Sequence, residues 1–235
     1  MELAELPTLP SHADIRSAGI LESVRQAFLD KGFDGASMQD LARAAGMSVG
    51  NFYRYFPSKA AIIQALILHD AEMVQRDFAA ILTSPEPMAT LRKVIHARVS
   101  DNECANDMAL WTEVEAASRR SPEIAHAAQR METEVHGNFL AVFAAELGLT
   151  IQEAKRRFSA PASYVLVMVK AASCLSCAAP LDQTQVRAMI LRSIDQTLDE
   201  VSLSSQTESR PSETPSSDPL APSPVTTQPK DQSCV

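Results

Sequence analysis

A chain of 235 residues with 46% hydrophobic content can bury one large or two small cores, which excludes a wholly disordered polypeptide. Only seven glycines, alanine-rich runs and few alternating β-branched segments argue against a sheet and predict an all-α fold. The formal net charge of −8 excludes general affinity for polyanions, since non-specific nucleic-acid binding comes from cations that neutralise phosphates; any such site has to be local.

The opening residues MELAELPTLP carry neither a positive nor an apolar leader region, so a cytoplasmic location is expected. From Ile15 to Lys31 the apolar positions Ile20, Leu21, Val24, Ala27 and Phe28 recur at helical spacing, and Gly32 follows as the residue just past a helix end. Ser37 and Asp40 have the spacing of a capping box, which opens a short second helix ending near Gly46. Ser48 caps a third. Pro57 ends it, and Ser58 opens a long fourth helix through Ile62, Ile63, Leu66 and Ile67 toward Leu82.

The SPEP run from Ser84 to Pro87 is a break, after which Leu91, Val94 and Ile95 continue the helical period. Ser100 with Glu103, Ser121 with Pro122, Thr150 with Glu153, and Asp182 with Gln185 mark further helix starts, for about nine helices in total. The segment Tyr164 to Ala179, led by Pro161, is the most membrane-like, but Lys170 interrupts it and it reads as a buried helix. In the last helix, Asp182 to Val201, the residues Val186, Met189, Ile190, Ile194, Leu198 and Val201 form one stripe that needs a partner surface. Residues 204–235 are rich in Ser, Pro and Thr and poor in large apolar groups, which predicts a disordered tail.

The stretch SMQDLARAAGMSVGNFYRYFPSK, Ser37 to Lys59, places a turn at Gly46 between two short helices. That is a helix-turn-helix, whose second helix is narrow enough to enter a major groove. Phe52 and Phe56, one turn apart, face the first helix as core, which leaves Tyr53, Arg54 and Tyr55 on other faces. A tyrosine hydroxyl at 53 can donate to a phosphate, and Lys59 adds a charge beside the free N–H groups of the fourth helix. Small residues Val49 and Gly50 let the recognition helix approach base edges, where Asn51 offers both a donor and an acceptor. Within this window Arg43, Arg54 and Lys59 outweigh Asp40, so the local positive charge is present.

The string DLARAAGMSVGNFYRYFPSKAAII resembles the DNA-binding signature of the TetR (tetracycline-repressor-like) family, over roughly residues 15 to 65. The resemblance implies a homodimer that binds a palindromic operator in double-stranded DNA, represses transcription, and is released by a small-molecule effector. It implies phosphate contacts at Ser37, Tyr53 and Lys59, and base or groove contacts at Gln39, Ser48, Val49, Gly50, Asn51, Arg54 and Tyr55. The acidic MELAELPTLP departs from relatives with a basic arm before the first helix, which argues against minor-groove contacts there. The implied organisation is a helix-turn-helix domain at 11–60, a helical sensing and dimerisation domain at 61–203, and the tail at 204–235. The last two helices would form the dimer's four-helix bundle.

Sensing needs a cavity, and flexible or aromatic side chains around a few polar groups suit one: His96, Met108, Trp111, Glu115, Phe139 and Met168 are the candidates, with Glu113 and His136 as further polar ones. Cys174 and Cys177 share a helical face, which keeps a thiol redox sensor as an alternative; a zinc site would need further ligands, and buried small residues suit them better. Glu123 and His126 form a single E-x-x-H pair where a di-iron bundle uses two. No Gly-rich phosphate loop, nucleophile elbow or HExxH occurs, so no enzyme, cofactor or metal is expected. The remaining alternative is a helical protein-interaction module that uses the headpiece for docking.

Overall fold

The computed structural model describes residues 12–100, 104–175 and 182–207, and every regular element among them is a helix. The helices are α1 (His12–Gly35), α2 (Met38–Ala44), α3 (Val49–Tyr55), α4 (Lys59–Thr83), α5 (Pro87–Ser100), α6 (Cys104–Ser118), α7 (Pro122–Leu147), α8 (Ile151–Cys174) and α9 (Gln183–Thr207). Their starts follow from local chemistry. Ser37, Ser48, Ser58 and Thr150 each accept a hydrogen bond from a backbone N–H of the first turn, and Ser37–Asp40 and Thr150–Glu153 are complete capping boxes. Ser121 caps nothing with its side chain; Pro122, which needs no N–H partner, starts α7 instead.

Two differences from the sequence expectations have physical causes. Pro161 lies inside α8 rather than ahead of a helix; the hydrogen bond its missing N–H forgoes is offset by the burial of Phe158, Ala162 and Val165 around it. Helix α9 runs on to Thr207, past the point where composition turns polar, because Val201 is still buried and carries the helix through its last turns. The rest of the expected tail, 208–235, lies outside the described residues, as do residues 1–11.

Two apolar cores organise the helices. The first joins Leu21, Val24 and Phe28 of α1, Leu41 of α2 and Phe52 of α3 to Ile62, Ile63, Leu66 and Ile67 of α4, and then to Leu110 and Val114 of α6 and Ile124 of α7. The second gathers Phe78 and Ile81 of the far end of α4 with α5, α7, α8 and α9, where Ile194, Leu198 and Val201 are buried within this chain. Part of the α9 stripe is therefore satisfied internally. The headpiece core crosses residue 60 into α4, α6 and α7, so the N-terminal helices and the body share packing rather than meeting at a linker.

The carboxyl end of α1 is the junction. Gly32 turns to φ 71°, ψ 164° there, a backbone region only glycine enters cheaply. That turn points the Phe33 N–H at Glu113 Oε2 of α6, 3.0 Å away. It also turns the carbonyls of Phe33 and Asp34 toward Lys59 Nζ at the start of α4, at 2.7 and 3.1 Å. Nearby, Arg25 of α1 is buried and paired with Asp70 of α4, a contact whose single-sided loss would strand a charge in the core.

Candidate nucleic-acid interface and cavity

Helix α3 stands on Phe52, which is wholly buried and meets the Phe56 ring at 5.3 Å between centroids. With that residue as its root, the other faces of α3 are turned outward: Ser48, Val49, Gly50, Tyr53, Arg54 and Tyr55 are exposed, Asn51 half-buried. Gln39 on α2 is exposed beside them. Arg54 Nη2 donates to Asn51 Oδ1 at 2.8 Å, and its guanidinium lies 5.6 Å from the Tyr55 ring centre. One lone pair of the Asn51 amide oxygen is thereby taken, while its NH₂ can donate to a base acceptor.

The phosphate candidates are not equally free. The Ser37 hydroxyl accepts from the Asp40 N–H and donates to the Asp40 carboxylate at 2.6 Å, and Lys59 is bound to the α1 carbonyls. Both must share those bonds to reach a phosphate. Tyr53, 48% exposed, is open. Asp40 accepts from Lys31 at 2.7 Å as well as from Ser37, and these hydrogen bonds, Lys31 first, hold its carboxyl far below the usual 3.8. A depressed folded pKa stabilises the folded state above the ordinary value, and that contribution is lost as pH falls through the folded one. In the parent, thermal stability should therefore fall along an acid limb below pH 3.8, and Asp40→Asn should flatten part of that limb while lowering stability at neutral pH; coincident limbs for the two proteins would show that the capping box carries no charge-dependent stability.

Away from the headpiece, α4, α5, α6, α7 and α8 line a half-open cavity of about 330 Å³. Its walls are apolar: Phe78 from α4, Ile95 from α5, Trp111 from α6, Met131 and Phe139 from α7, and Val169 from α8. Charged groups reach it from Asp77, Arg98, Glu115, Glu132 and Lys170. Of the residues expected to line a pocket, Trp111, Glu115 and Phe139 do so. His96 instead faces α9, with Nε2 at 2.9 and 3.0 Å from the Asp195 carboxylate. Met168 packs on the second core, and the side chain of Met108 lies outside the described residues. Glu113 serves the α1 junction, and His136 contacts the Ser159 carbonyl of α8 at 3.0 Å. Sequence reading did not single out Arg98, Glu132 or Lys170 as lining residues; Lys170 carried a signal, as the one charge interrupting the apolar run of α8.

Among the described residues no cluster of His, Cys, Asp and Glu could hold a metal ion, and no helix is long and apolar enough to cross a membrane. Cys177 and the side chain of Cys174 lie outside the described residues.

Residues 20–66 match the sequence family described as bacterial regulatory proteins, tetR family. The chain is 34% identical to the HTH-type transcriptional regulator UidR of Escherichia coli (strain K12) over 107 residues, 45% of this chain and 53% of UidR. It is 28% identical to the HTH-type transcriptional regulator BetI of Yersinia pestis (strain Pestoides F) over 134 residues, 55% of this chain and 67% of BetI. The chain thus spans about half the length of UidR. Among solved structures, Salmonella enterica GusR superposes with a TM-score of 0.57 at 23% identity, covering 79% of this chain and 98% of GusR, a likeness of fold.

Proposed function

We propose that the chain, whose residues 20–66 match the tetR family of bacterial regulatory proteins, is a ligand-responsive transcriptional repressor. It binds a palindromic operator as a homodimer and leaves it when a small molecule enters the cavity. The observation that carries this reading is α3: a helix rooted by one buried phenylalanine, with Gly50, Asn51, Tyr53, Arg54 and Tyr55 turned away from the core on an otherwise anionic protein. Asn51 and Arg54 read base edges, and Tyr53 anchors the backbone.

Two copies of α3 have to sit about 34–36 Å apart to enter successive major grooves, so a ligand need only change that spacing to weaken binding. Support for a route comes from α6. Trp111 and Glu115 line the cavity, and Glu113, on the same helix, holds the Phe33 N–H of the headpiece at 3.0 Å. For the dimer, Tyr164 and Val167 of α8 and Met189 and Leu203 of α9 are exposed apolar groups on the two helices expected to pair. A monomer in dilute solution would count against that arrangement.

The direct test is to select bound fragments from the source genome with unliganded protein at low ionic strength; a preferred inverted repeat is expected, and its absence sinks the proposal. On the selected site, Tyr53→Phe should weaken binding to all duplexes alike, whereas Asn51→Ala should relax the choice at one base position, at about 1–3 kcal/mol of discrimination. Equal losses on every sequence for both variants would show that Asn51 does not read a base.

A further inference from the structure

The cavity combines a nearly wholly apolar wall with an unusual charge arrangement. Lys170 Nζ lies between two carboxylates from different helices, 2.7 Å from Glu115 Oε1 and 2.5 Å from Glu132 Oε1. One ammonium cannot neutralise two carboxylates, so that pair of glutamates keeps an uncompensated negative charge. Over the whole lining, the three carboxylates of Asp77, Glu115 and Glu132 face the two cations Arg98 and Lys170. Burial pulls the Lys170 pKa down, but the hydrogen bonds it donates to Glu115 and Glu132 more than offset this and leave it above the usual lysine value, so Lys170 itself is charged at neutral pH.

The aromatic groups point the same way. Trp111, Phe78 and Phe139 all line the cavity, and an aromatic face attracts a cation through its quadrupole, tryptophan most strongly. Trp111 and Glu115 are one helical turn apart, which places the ring and the carboxylate on the same face of α6.

We propose that the cavity takes an apolar organic monocation, whose positive group is held by Glu115 and Glu132 near the Trp111 ring and whose body fills the space between Phe78, Ile95 and Phe139. The inference rests on the reading of this cavity as the effector site. The ligand's charge completes the neutralisation that Lys170 leaves unfinished, and its apolar body gains the burial that the walls offer. Lys170 competes with it for the same two carboxylates. The rival occupant is an apolar anion paired with Arg98, a lining cation with no ion-pair partner among the described residues.

The chain contains one tryptophan, so Trp111 fluorescence reports on the cavity directly. The full chain is titrated with decyltrimethylammonium, 1-decanol and decyl sulfate, which share one apolar body and differ in charge, all below micelle-forming concentrations. Decyltrimethylammonium is expected to bind about tenfold tighter than either of the others, a factor appropriate to a partly desolvated cation at an aromatic face. In a Glu115→Gln, Glu132→Gln double variant this preference should vanish while decanol affinity stays, which also reports that the cavity is intact. Lys170→Met should sharpen the preference further. If the double variant loses decanol binding, the ranking on the parent chain decides alone. Equal affinity for all three, tighter binding of decyl sulfate, or a silent Trp111 overturns the proposal. Loss of cation preference with sequence-selective duplex binding intact removes this inference and leaves the regulator; cation preference in a protein that selects no duplex removes the regulator and leaves the cation site.

Discussion

Replacing Phe52 by alanine is expected to cost about 3–5 kcal/mol of folding stability and to abolish sequence-selective duplex binding. The side chain is completely buried in the core that joins α1, α2 and α3 to α4, α6 and α7, and its ring lies 5.3 Å from that of Phe56. Losing it removes apolar burial and leaves a cavity at the root of a seven-residue helix. Three positions later the same helix carries Tyr55, 56% exposed, where alanine should change stability by no more than about 0.5 kcal/mol. Denaturant midpoints measure both. A Phe52→Ala protein that unfolds with its parent would mean that α3 is not rooted as described.

Gly32→Ala should cost about 1–3 kcal/mol, the penalty for holding a side-chain-bearing residue in a sparsely populated backbone region. The added Cβ would lie 3.6 Å from Glu113 Oε2, an ordinary contact, so the penalty comes from φ 71° and not from a clash. Relaxing the Gly32 backbone rotates the Gly32–Phe33 peptide, whose N–H is tied to Glu113 of α6, and displaces the Phe33 carbonyl held by Lys59 of α4. Reduced stability should thus be accompanied by a weaker effect of ligand on operator binding. Gly19→Ala is the matched control. It lies in the same helix with open space around it, so alanine there should stabilise, by about 0.5–1 kcal/mol. The same sign for both substitutions would remove the special role assigned to Gly32.

Most of the local structure was legible from residue types at short spacing. Ser37 with Asp40, Ser48, Ser58 and Thr150 with Glu153 cap helices as expected, because a cap needs only its own first turn. Phe52 and Phe56 were readable as core for the same reason: the helical period alone puts them side by side. The cavity was legible in part. Trp111, Glu115 and Phe139 reach it, but His96 and Met168, of equally suitable chemistry, sit on faces that meet α9 and the second core. Which face of a helix meets a void depends on how several helices cross, and no short window contains that.

By itself the sequence determined the all-helical character, the caps, the breaks and the exposed chemistry of the recognition helix, since each depends on side chains within one or two turns of each other. Tertiary structure alone decided three things. It joined the headpiece core to α6 and α7, it set Glu113 against a backbone N–H eighty positions earlier in the chain, and it gathered Glu115, Glu132 and Lys170 from three helices into one charged cluster. Such contacts arise when amphipathic faces bury one another, and the hydrophobic effect that drives this is non-directional. It demands that an apolar stripe be covered, and only the packed molecule says by what.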